Sequence, residues 1–279
     1  MKTIPSKKLT NNNTHHTFIC NVCGTINKNV SFDLLSGRET PSCSSCGSTL
    51  RERALIVALT RALGWGHEIL PDIAVNKKIH GLGMSEDING FTKLLFEKFT
   101  HTLTYYDREP KLDLSSNNMK TFGEIDYVMC TEVMEHVPPP IEIAFHNLNK
   151  LLGKDGVCIF SVPYSLEEET AEHFPNLFDW KFERSEDGKK SLLNTTVDGK
   201  SEVFDDLCFH SGPEIFDDDG FPVEGSGESL EMRVFCEKAL RQHVADAGLK
   251  ISDIIDMDIP EFGIIQVYDW SHVMVFRRR

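Results

Sequence analysis

The stretch KKIHGLGMS, residues 77–85, has the pattern of a strand that ends in a glycine-bearing turn. The apolar residues that follow it at helical spacing are Phe91, Leu94, Leu95 and Phe99. A second strand pattern covers residues 101–106 and ends at Asp107. This order of strand, glycine turn, helix, strand and acid predicts an α/β fold with a ligand-binding turn.

Gly81 and Gly83 in the predicted turn would let a ligand approach the backbone closely, and the next helix would offer free N–H groups. Asp107 has the place of an acid that holds two ribose hydroxyls. The unit therefore predicts a nucleoside ligand. A plain tight turn is the alternative interpretation of the two glycines, because Ser85 stands where a third glycine is usual.

Residues 124–130 form a third strand pattern, which leads into TEVMEHVP, residues 131–138. An apolar helical stripe follows, and we expect Gly153 to end it in the left-handed conformation. A buried strand is predicted over residues 157–162. The elements predicted near the end of the chain are a helix over residues 232–247 and strands over 251–259 and 271–276.

With its motifs in this order, the succession FGEIDYVMCTEVMEHV…LNKLLGKDGVCIFSVPY resembles the class I S-adenosylmethionine-dependent methyltransferases. The resemblance covers residues 75–165 well and 229–279 more loosely. It implies a Rossmann-like seven-stranded sheet with an antiparallel last strand, and S-adenosylmethionine as cofactor. The chain departs from the family pattern at Ile79, where the family has an acid, and at Ser85, where it has a glycine.

The resemblance also implies which residues touch the cofactor. They are Gly81, Gly83, Asp107, Asp113 and Glu132. Asp113 matches a polar residue that meets the adenine amino group in the family, with a plain turn residue as the alternative. Glu132 is expected to border the cofactor pocket.

Glu132, Glu135 and His136 have the spacing that places three side chains on one face of a helical turn. The same E-x-x-E-H looks like the metal-binding motif of the small-RNA 2′-O-methyltransferases and of ubiquinone-pathway O-methyltransferases. That likeness implies Mg²⁺ or Mn²⁺, because the ligands are mostly oxygen. The alternative is that Glu135 and His136 only orient the following helix.

For the reaction, we expect methyl transfer to a hydroxyl of a sugar, a glycan or another small molecule, which requires a general base. His210 and His136 are the predicted catalytic residues, and His173 and Tyr164 are further candidates. The alternative functions are a non-catalytic interaction protein with a methyltransferase-like scaffold and an RNA methyltransferase.

Two Cys-x-x-Cys-Gly knuckles lie near the start of the chain. The four thiols are Cys20, Cys23, Cys43 and Cys46. Four thiolates at this spacing predict a closed structural Zn²⁺ site, because no position is left open for a substrate. Disulfides and a rubredoxin-like iron site are the alternatives.

The helix predicted after the second knuckle begins with Arg51 and Arg53. In several bacterial methyltransferases a knuckle runs into a similar R-x-R-A helix, which implies that this one lies over the cofactor pocket. We expect both arginines on the solvent surface, with contact to a carboxylate as the alternative.

The composition restricts the partners. The 279 residues carry a net charge of −14, whereas a nucleic-acid-binding protein normally has a basic surface. A small-molecule or glycan acceptor is therefore favoured over nucleic acid. No apolar run reaches membrane length, and the first residues lack an apolar signal core. We expect a cytoplasmic protein; the oligomeric state is left open.

The domain organisation follows from these patterns. Residues 1–16 are predicted to be a disordered tail, and residues 17–50 a zinc-ribbon-like module. The methyltransferase domain is predicted over residues 51–279. Within it, residues 166–228 are an insertion after the fifth strand of the family sheet, on the substrate side.

Overall fold

A computed structural model gives the structure of the chain. It describes residues 14–66, 69–84, 90–106, 108–120, 122–184, 190–211 and 228–279. The side chains of residues 184, 209–211 and 228 are left out of the description. Among the described residues, no helix combines the length and apolar character needed to cross a membrane.

The helices and strands of the first half are β1 (His15–Ile19), β2 (Ile26–Ser31), α1 (Phe32–Ser36), α2 (Leu50–Ala62), β3 (His80–Met84), α3 (Phe91–Lys98), β4 (Thr100–Thr104), β5 (Ile125–Thr131), α4 (Ile141–Leu151) and β6 (Leu152–Ser161). Those of the second half are β7 (Tyr164–Ser165), β8 (Ala171–Glu172), β9 (Asp179–Arg184), β10 (Lys190–Thr195), β11 (Ser201–Phe204), β12 (Phe209–Ser211), β13 (Glu228–Leu230), β14 (Arg233–Cys236), α5 (Glu237–Asp246), β15 (Leu249–Ile255) and β16 (Val273–Arg278). Three short 3-10 helices are Leu70–Asp72, Met134–His136 and Pro260–Phe262.

The central sheet has the order β15-β16-β6-β5-β3-β4. β3, β4, β5 and β6 are parallel, and β16 is antiparallel to both of its neighbours. This confirms the predicted α/β class and the antiparallel last strand. Six strands form the described sheet, not seven. Beyond β4, a single bridge from Tyr105 to Lys111 marks the edge where a further strand would lie.

The N-terminal module contains the β1–β2 hairpin, α1 and the two knuckles. β1 begins at His15, two residues before the predicted start of the module at residue 17. Helix α2 then begins with a capping box, in which Thr49 and Glu52 bond to each other's backbone N–H groups. The helix packs across β6, β15 and β16 and so fixes the module to one face of the sheet.

Arg53 fixes the module from inside. Its guanidinium is fully buried and lies 4.8 Å from the centre of the Phe18 ring. It donates to the carbonyl of Ser48 at 2.6 Å and to that of Gly263 at 3.0 Å, so it joins the module to the segment between β15 and β16. The expectation of a solvated Arg53 was therefore wrong. The aromatic ring and the two carbonyls replace the water that it loses.

The predicted insertion is built mainly of short strands. β9, β10 and β11 form one antiparallel sheet, and β12 pairs with β13. The small core of this part consists of Phe174, Leu177, Leu192, Leu230 and Met232. A tight turn around Gly199 joins β10 to β11, and Gly199 has a φ of 81° there.

Two sequence expectations about the later elements were wrong. The helix predicted over residues 232–247 begins only at Glu237, because the apolar residues before it form β14 between β7 and β8. Gly153 does not end α4 in the left-handed conformation; it lies inside β6. A Cβ at Gly153 would come 3.0 Å from the carbonyl oxygen of Ile125, so the glycine permits close strand contact.

Gly81 also serves packing. It lies in β3 beside β5, and a Cβ there would fall 2.0 Å from the Tyr127 ring. The Tyr127 hydroxyl pairs with His101 Nδ1 at 2.9 Å, and the two rings stack, so the tyrosine cannot easily move aside.

We expect Gly81→Ala to lower the free energy of unfolding by about 1–3 kcal/mol, the usual cost of overpacking a core. Urea unfolding followed by circular dichroism measures it. Ser201→Ala, in exposed strand β11, is the control and should leave stability unchanged. Equal stability of Gly81→Ala and wild type would contradict the packing role.

Candidate functional site

The carboxyl ends of the parallel strands form the edge at which ligands bind in open α/β sheets. β3 ends at Met84, β5 at Thr131 and β6 at Ser161. β16 runs the other way, so its first residue, Val273, lies at the same edge. We call this the carboxyl edge. β3 and β4 form one side of it, β6 and β16 the other, and the residues after β5 lie between them.

The predicted glycine turn lies later in the chain than expected. Gly81 and Gly83 are inside β3, and the carbonyl of Gly83 accepts a 2.9 Å hydrogen bond from Thr104. The chain leaves the strand after Met84, and residues 85–89 fall outside the described residues. Asp107 falls outside them as well. A cofactor contact for these residues therefore stays a prediction.

Asp113 has the contacts of a turn residue. Its carboxylate accepts from the backbone N–H of Ser115 at 2.9 Å and from the Ser115 hydroxyl at 2.6 Å. Burial, followed by the charge of Asp113, raises the pKa of Tyr106. The turn alternative thus accounts for these contacts, and the adenine contact stays a prediction.

Glu132 directly follows β5 and has a left-handed backbone, with φ at 53°. Its N–H donates to the Ser161 carbonyl at 2.9 Å, which joins the ends of β5 and β6. Its carboxylate accepts two hydrogen bonds from Arg38, at 3.0 and 2.7 Å, and Arg51 lies 4.0 Å away. Burial raises its pKa, but the guanidinium of Arg38 and then that of Arg51 outweigh burial, so the pKa lies below its ordinary value.

Glu135 has the opposite environment. It is fully buried, and neither of its carboxylate oxygens has a hydrogen-bond partner. Burial and the neighbouring charge of Glu132 raise its pKa well above the ordinary value. Burial thus favours the protonated form of Glu135, whereas the guanidinium groups favour the ionised form of Glu132.

The three residues of the E-x-x-E-H motif do not share one helical face. Glu132 precedes the short 3-10 helix Met134–His136, and its left-handed backbone turns it toward the N-terminal module. In the ranges that the structure describes, only the four cysteines bring three or more potential ligand side chains within reach of one ion. The expectation of Mg²⁺ or Mn²⁺ is therefore unsupported.

The two predicted catalytic histidines come from neighbouring segments. His136 Nδ1 lies 3.0 Å from the carbonyl oxygen of Leu230, in β13. β12 pairs with β13, with His210 opposite Ser229. The backbone of His210 is thus next to the strand that His136 contacts, although the side chain of His210 is outside the described part.

The other two candidate bases differ. Tyr164 is buried beside His272, and burial raises its pKa to about 12, so it is protonated at neutral pH. His173 is partly exposed next to Phe174, with 6.3 Å between the two ring centres.

A shallow cleft that is partly open to solvent lies at the β16 side of the carboxyl edge. Its polar and aromatic lining includes Ser36, Arg38, Arg51, Gln266, Tyr268 and Trp270. The ring centres of Tyr268 and Trp270 lie 4.8 Å apart, and the two ring planes are tilted by 36°. Arg38 links the cleft to Glu132, since it contacts both. No local sequence pattern indicates Arg38, Gln266, Tyr268 and Trp270, because they come from two irregular segments that are far apart in the chain.

The four knuckle thiols form a compact cluster with all sulfur atoms within 4.8 Å of one another. The separations are 3.7 Å for Cys20 and Cys46 and 3.6 Å for Cys23 and Cys43. A tetrahedral zinc with bonds of about 2.3 Å places its sulfurs about 3.8 Å apart, whereas a disulfide needs about 2.05 Å. The cysteines therefore fit a tetrathiolate metal site and are not disulfide-bonded.

A comparison with known protein families indicates the function of this fold. Residues 73–195 match the model of a family described as a methyltransferase domain. The chain carries a methyltransferase domain. This match, together with the strand order and the antiparallel last strand, confirms the predicted methyltransferase domain.

Solved structures similar to this chain include three methyltransferases. The 1,6-didemethyltoxoflavin-N1-methyltransferase of Burkholderia thailandensis, with bound S-adenosylhomocysteine, is 14% identical at a TM-score of 0.41, over 82% of this methyltransferase and 77% of that chain. An amino pentose methyltransferase from Micromonospora echinaspora, with bound S-adenosylmethionine, is 13% identical at a TM-score of 0.41. The match covers 84% of this chain and 93% of that chain. An S-adenosylmethionine-dependent methyltransferase from Clostridium acetobutylicum is 13% identical at a TM-score of 0.40. The match covers 71% of this chain and 82% of that chain. Likeness at this level carries no argument about the substrate. None of the curated proteins matches this methyltransferase.

We expect the purified protein to contain about one zinc per chain, by elemental analysis. Cys43→Ser should lower both the zinc content and the thermal stability, because three thiolates leave the tetrahedral site incomplete. Cys208→Ser is the matched control, since this thiol lies outside the cluster and bonds to Glu231. Metal-free protein, freshly prepared under reducing conditions without chelator, would contradict the zinc assignment; iron in its place would favour the rubredoxin-like alternative.

Proposed function

We propose that this protein transfers the methyl group of S-adenosylmethionine to a hydroxyl of a sugar, a glycan or another small molecule held in the cleft. The observation that carries the proposal is the position of the cleft. It opens at the carboxyl edge, and Arg38 connects it directly to Glu132. The cofactor would occupy the β3 and β4 side of the edge and the acceptor the β16 side.

The lining of the cleft supports a polar acceptor with an apolar face. The neighbouring rings of Tyr268 and Trp270 offer aromatic faces for the apolar side of a sugar ring, and Gln266 and Ser36 in the same lining offer hydrogen-bonding groups. The net charge of −14 argues against RNA as acceptor.

Residues on the cofactor side are assigned by the family pattern. We propose that Asp107 holds the ribose hydroxyls and that Gly83, Asp113 and Glu132 border the pocket. Gly81 would act indirectly, by letting Tyr127 pack against β3. We also propose that the four cysteines hold a structural zinc ion. The ion would link two segments of chain that are too short to fold alone.

The chemistry requires alignment and a base. Methyl transfer from a sulfonium is a direct displacement, so the protein mainly holds the donor and the acceptor oxygen in line. His136 is the base that the contacts support. Its Nδ1 faces the carbonyl of Leu230, which only accepts, so Nδ1 carries the proton and Nε2, 3.8 Å from a carboxylate oxygen of Glu135, carries the lone pair. That nitrogen takes the hydroxyl proton as the carbon–oxygen bond forms, with His210 as the alternative base.

We expect radiolabelled S-adenosylmethionine to label sugars or small hydroxylated acceptors in a panel that also contains RNA. His136→Gln should lower the rate about 10²- to 10⁴-fold, the range of general-base catalysis, while binding of S-adenosylhomocysteine remains. His146→Gln, on the exposed face of α4, is the control and should keep full activity. Labelled RNA would contradict the acceptor assignment, and failure to bind the cofactor would favour a non-catalytic interaction protein.

For the cofactor, we expect Asp107→Ala to weaken S-adenosylhomocysteine binding about a hundredfold. The reason is the loss of two charge-assisted hydrogen bonds of roughly 1.5 kcal/mol each. Calorimetric titration measures the dissociation constant. Asp155→Ala, exposed near the start of β6 and away from the carboxyl edge, should bind as wild type does. An unchanged constant in a folded Asp107→Ala protein would rule out the ribose contact.

A further inference from the structure

Two residues at the carboxyl edge have a left-handed backbone without being glycine. Glu132, directly after β5, has a φ of 53°, and Ser271, just before β16, has a φ of 58°. Such conformations cost free energy in side-chain-bearing residues and concentrate at functional sites. Both residues contact the same side chain, that of Arg38, which belongs to the segment between α1 and the second knuckle.

Arg38 uses all three of its guanidinium nitrogens. Nη1 and Nη2 donate to the two carboxylate oxygens of Glu132 at 3.0 and 2.7 Å, and Nε donates to the Ser271 carbonyl at 3.0 Å. Nη1 also pairs with Glu39. The Arg38 side chain is only 18% exposed, so the two-pronged pair with Glu132 is largely shielded from water. One side chain thus joins the residue after β5 to the segment just before β16.

The charges around Glu132 explain why a cation is needed there. Arg38 and Arg51 face its carboxylate, Glu39 is shared between the two arginines, and Glu135 lies behind it. Without a cation, burial and the nearby carboxyls would force Glu132 to take up a proton. In the families that the E-x-x-E-H letters resemble, a divalent metal supplies that charge. Here the motif does not gather around an ion, and a guanidinium already pairs with the first carboxylate.

We propose that Arg38 is a positioning residue of the methyltransferase site: supplied by the zinc module, it takes the place of a divalent cation at Glu132 and holds the cofactor and acceptor sides of the edge together. The inference rests on the proposed function in one respect, which is that Glu132 borders the cofactor pocket. It also gives the zinc module a role, since its folding sets the position of Arg38.

The test is a double-mutant cycle on Arg38 and Glu132, with S-adenosylhomocysteine as the probe. Calorimetric dissociation constants are measured between about pH 6 and pH 9 for zinc-loaded wild type, Arg38→Met, Glu132→Gln and the double variant. Titration of Glu132 should not change the wild-type dissociation constant over this pH range, because Arg38 and Arg51 keep that carboxyl ionised. Arg38→Met should bind about tenfold more weakly, as expected for one charge-assisted contact, and the loss should grow as the pH falls and Glu132 takes up a proton.

The remaining variants separate positioning from simple structural support. Glu132→Gln should bind more weakly without the added pH dependence, and the double variant should bind no more weakly than Glu132→Gln alone. Arg38→Lys restores the charge but not the two-pronged contact, so it should remove the pH dependence and recover only part of the affinity. Arg61→Met is the control; it removes an arginine at the far end of α2, 3.6 Å from Asp253, and should bind as wild type.

Three results would overturn the inference. The first is a zinc-loaded Arg38→Met protein with wild-type affinity and pH profile. The second is additive losses in the double variant, which would mean that the two residues act independently. The third is Mn²⁺ binding by zinc-loaded wild type, seen by electron paramagnetic resonance and lost in Glu132→Gln, because the cation at Glu132 would then be a metal. If Arg38→Met does not fold, Arg38→Lys and Glu132→Gln still decide between these results. Wild type that fails to bind S-adenosylhomocysteine would instead refute the proposed function.

Discussion

The carboxylate of Glu132 requires a neighbouring cation, and the guanidinium of Arg38 provides it. Much of the arrangement at the carboxyl edge depends on this pair. The parallel strands end here, and the residue after β5 is turned by its left-handed backbone toward the N-terminal module. Arg38 reaches it from a segment 94 positions away in the chain. A charge pair between such distant parts can form only when the module, α2 and the sheet are packed together, so the site and the domain arrangement depend on each other.

The same edge holds two carboxyl groups in opposite states. Glu132 has guanidinium partners and is an anion, whereas Glu135 has no hydrogen-bond partner for its carboxylate and a pKa raised by burial and by Glu132. A second buried anion beside the first would be costly, because the low dielectric strengthens their repulsion. This division of charge leaves one negative group at the centre of the edge. It also explains how the E-x-x-E-H sequence can be present although its side chains are not arranged around a metal site.

The N-terminal module is part of the methyltransferase structure and not an appendage. Arg53 and Phe18 pack it against the segment between β15 and β16, where a Cβ at Gly263 would come 2.7 Å from the Phe18 ring. The charge of Arg53 also lies close to the cysteine cluster, whose thiolates raise its pKa against the lowering by burial. A tetrathiolate zinc site carries net negative charge, so a buried arginine beside it compensates part of that charge. Metal binding, module folding and the shape of the cleft are thus physically connected.

The sequence by itself determined the features that depend on neighbouring residues. Apolar periodicity located β3, α3, β5 and α4 to within a few residues, and the knuckle spacing identified the cluster of Cys20, Cys23, Cys43 and Cys46. The predicted catalytic His136 came from a motif of the same local kind. Periodicity failed at residues 232–236, where a strand enclosed on both sides is as apolar as a helix stripe.

Features that depend on distant partners became visible only in the folded chain. The requirement for glycine at position 81 comes from the Tyr127 ring on the next strand. Arg53 is buried because the carbonyls of Ser48 and Gly263 accept its hydrogen bonds. The pairing of Arg38 with Glu132 has no local signal at all. The physical reason is that charge compensation and close packing are set by which groups share a volume, and residues far apart in the chain meet there only after folding.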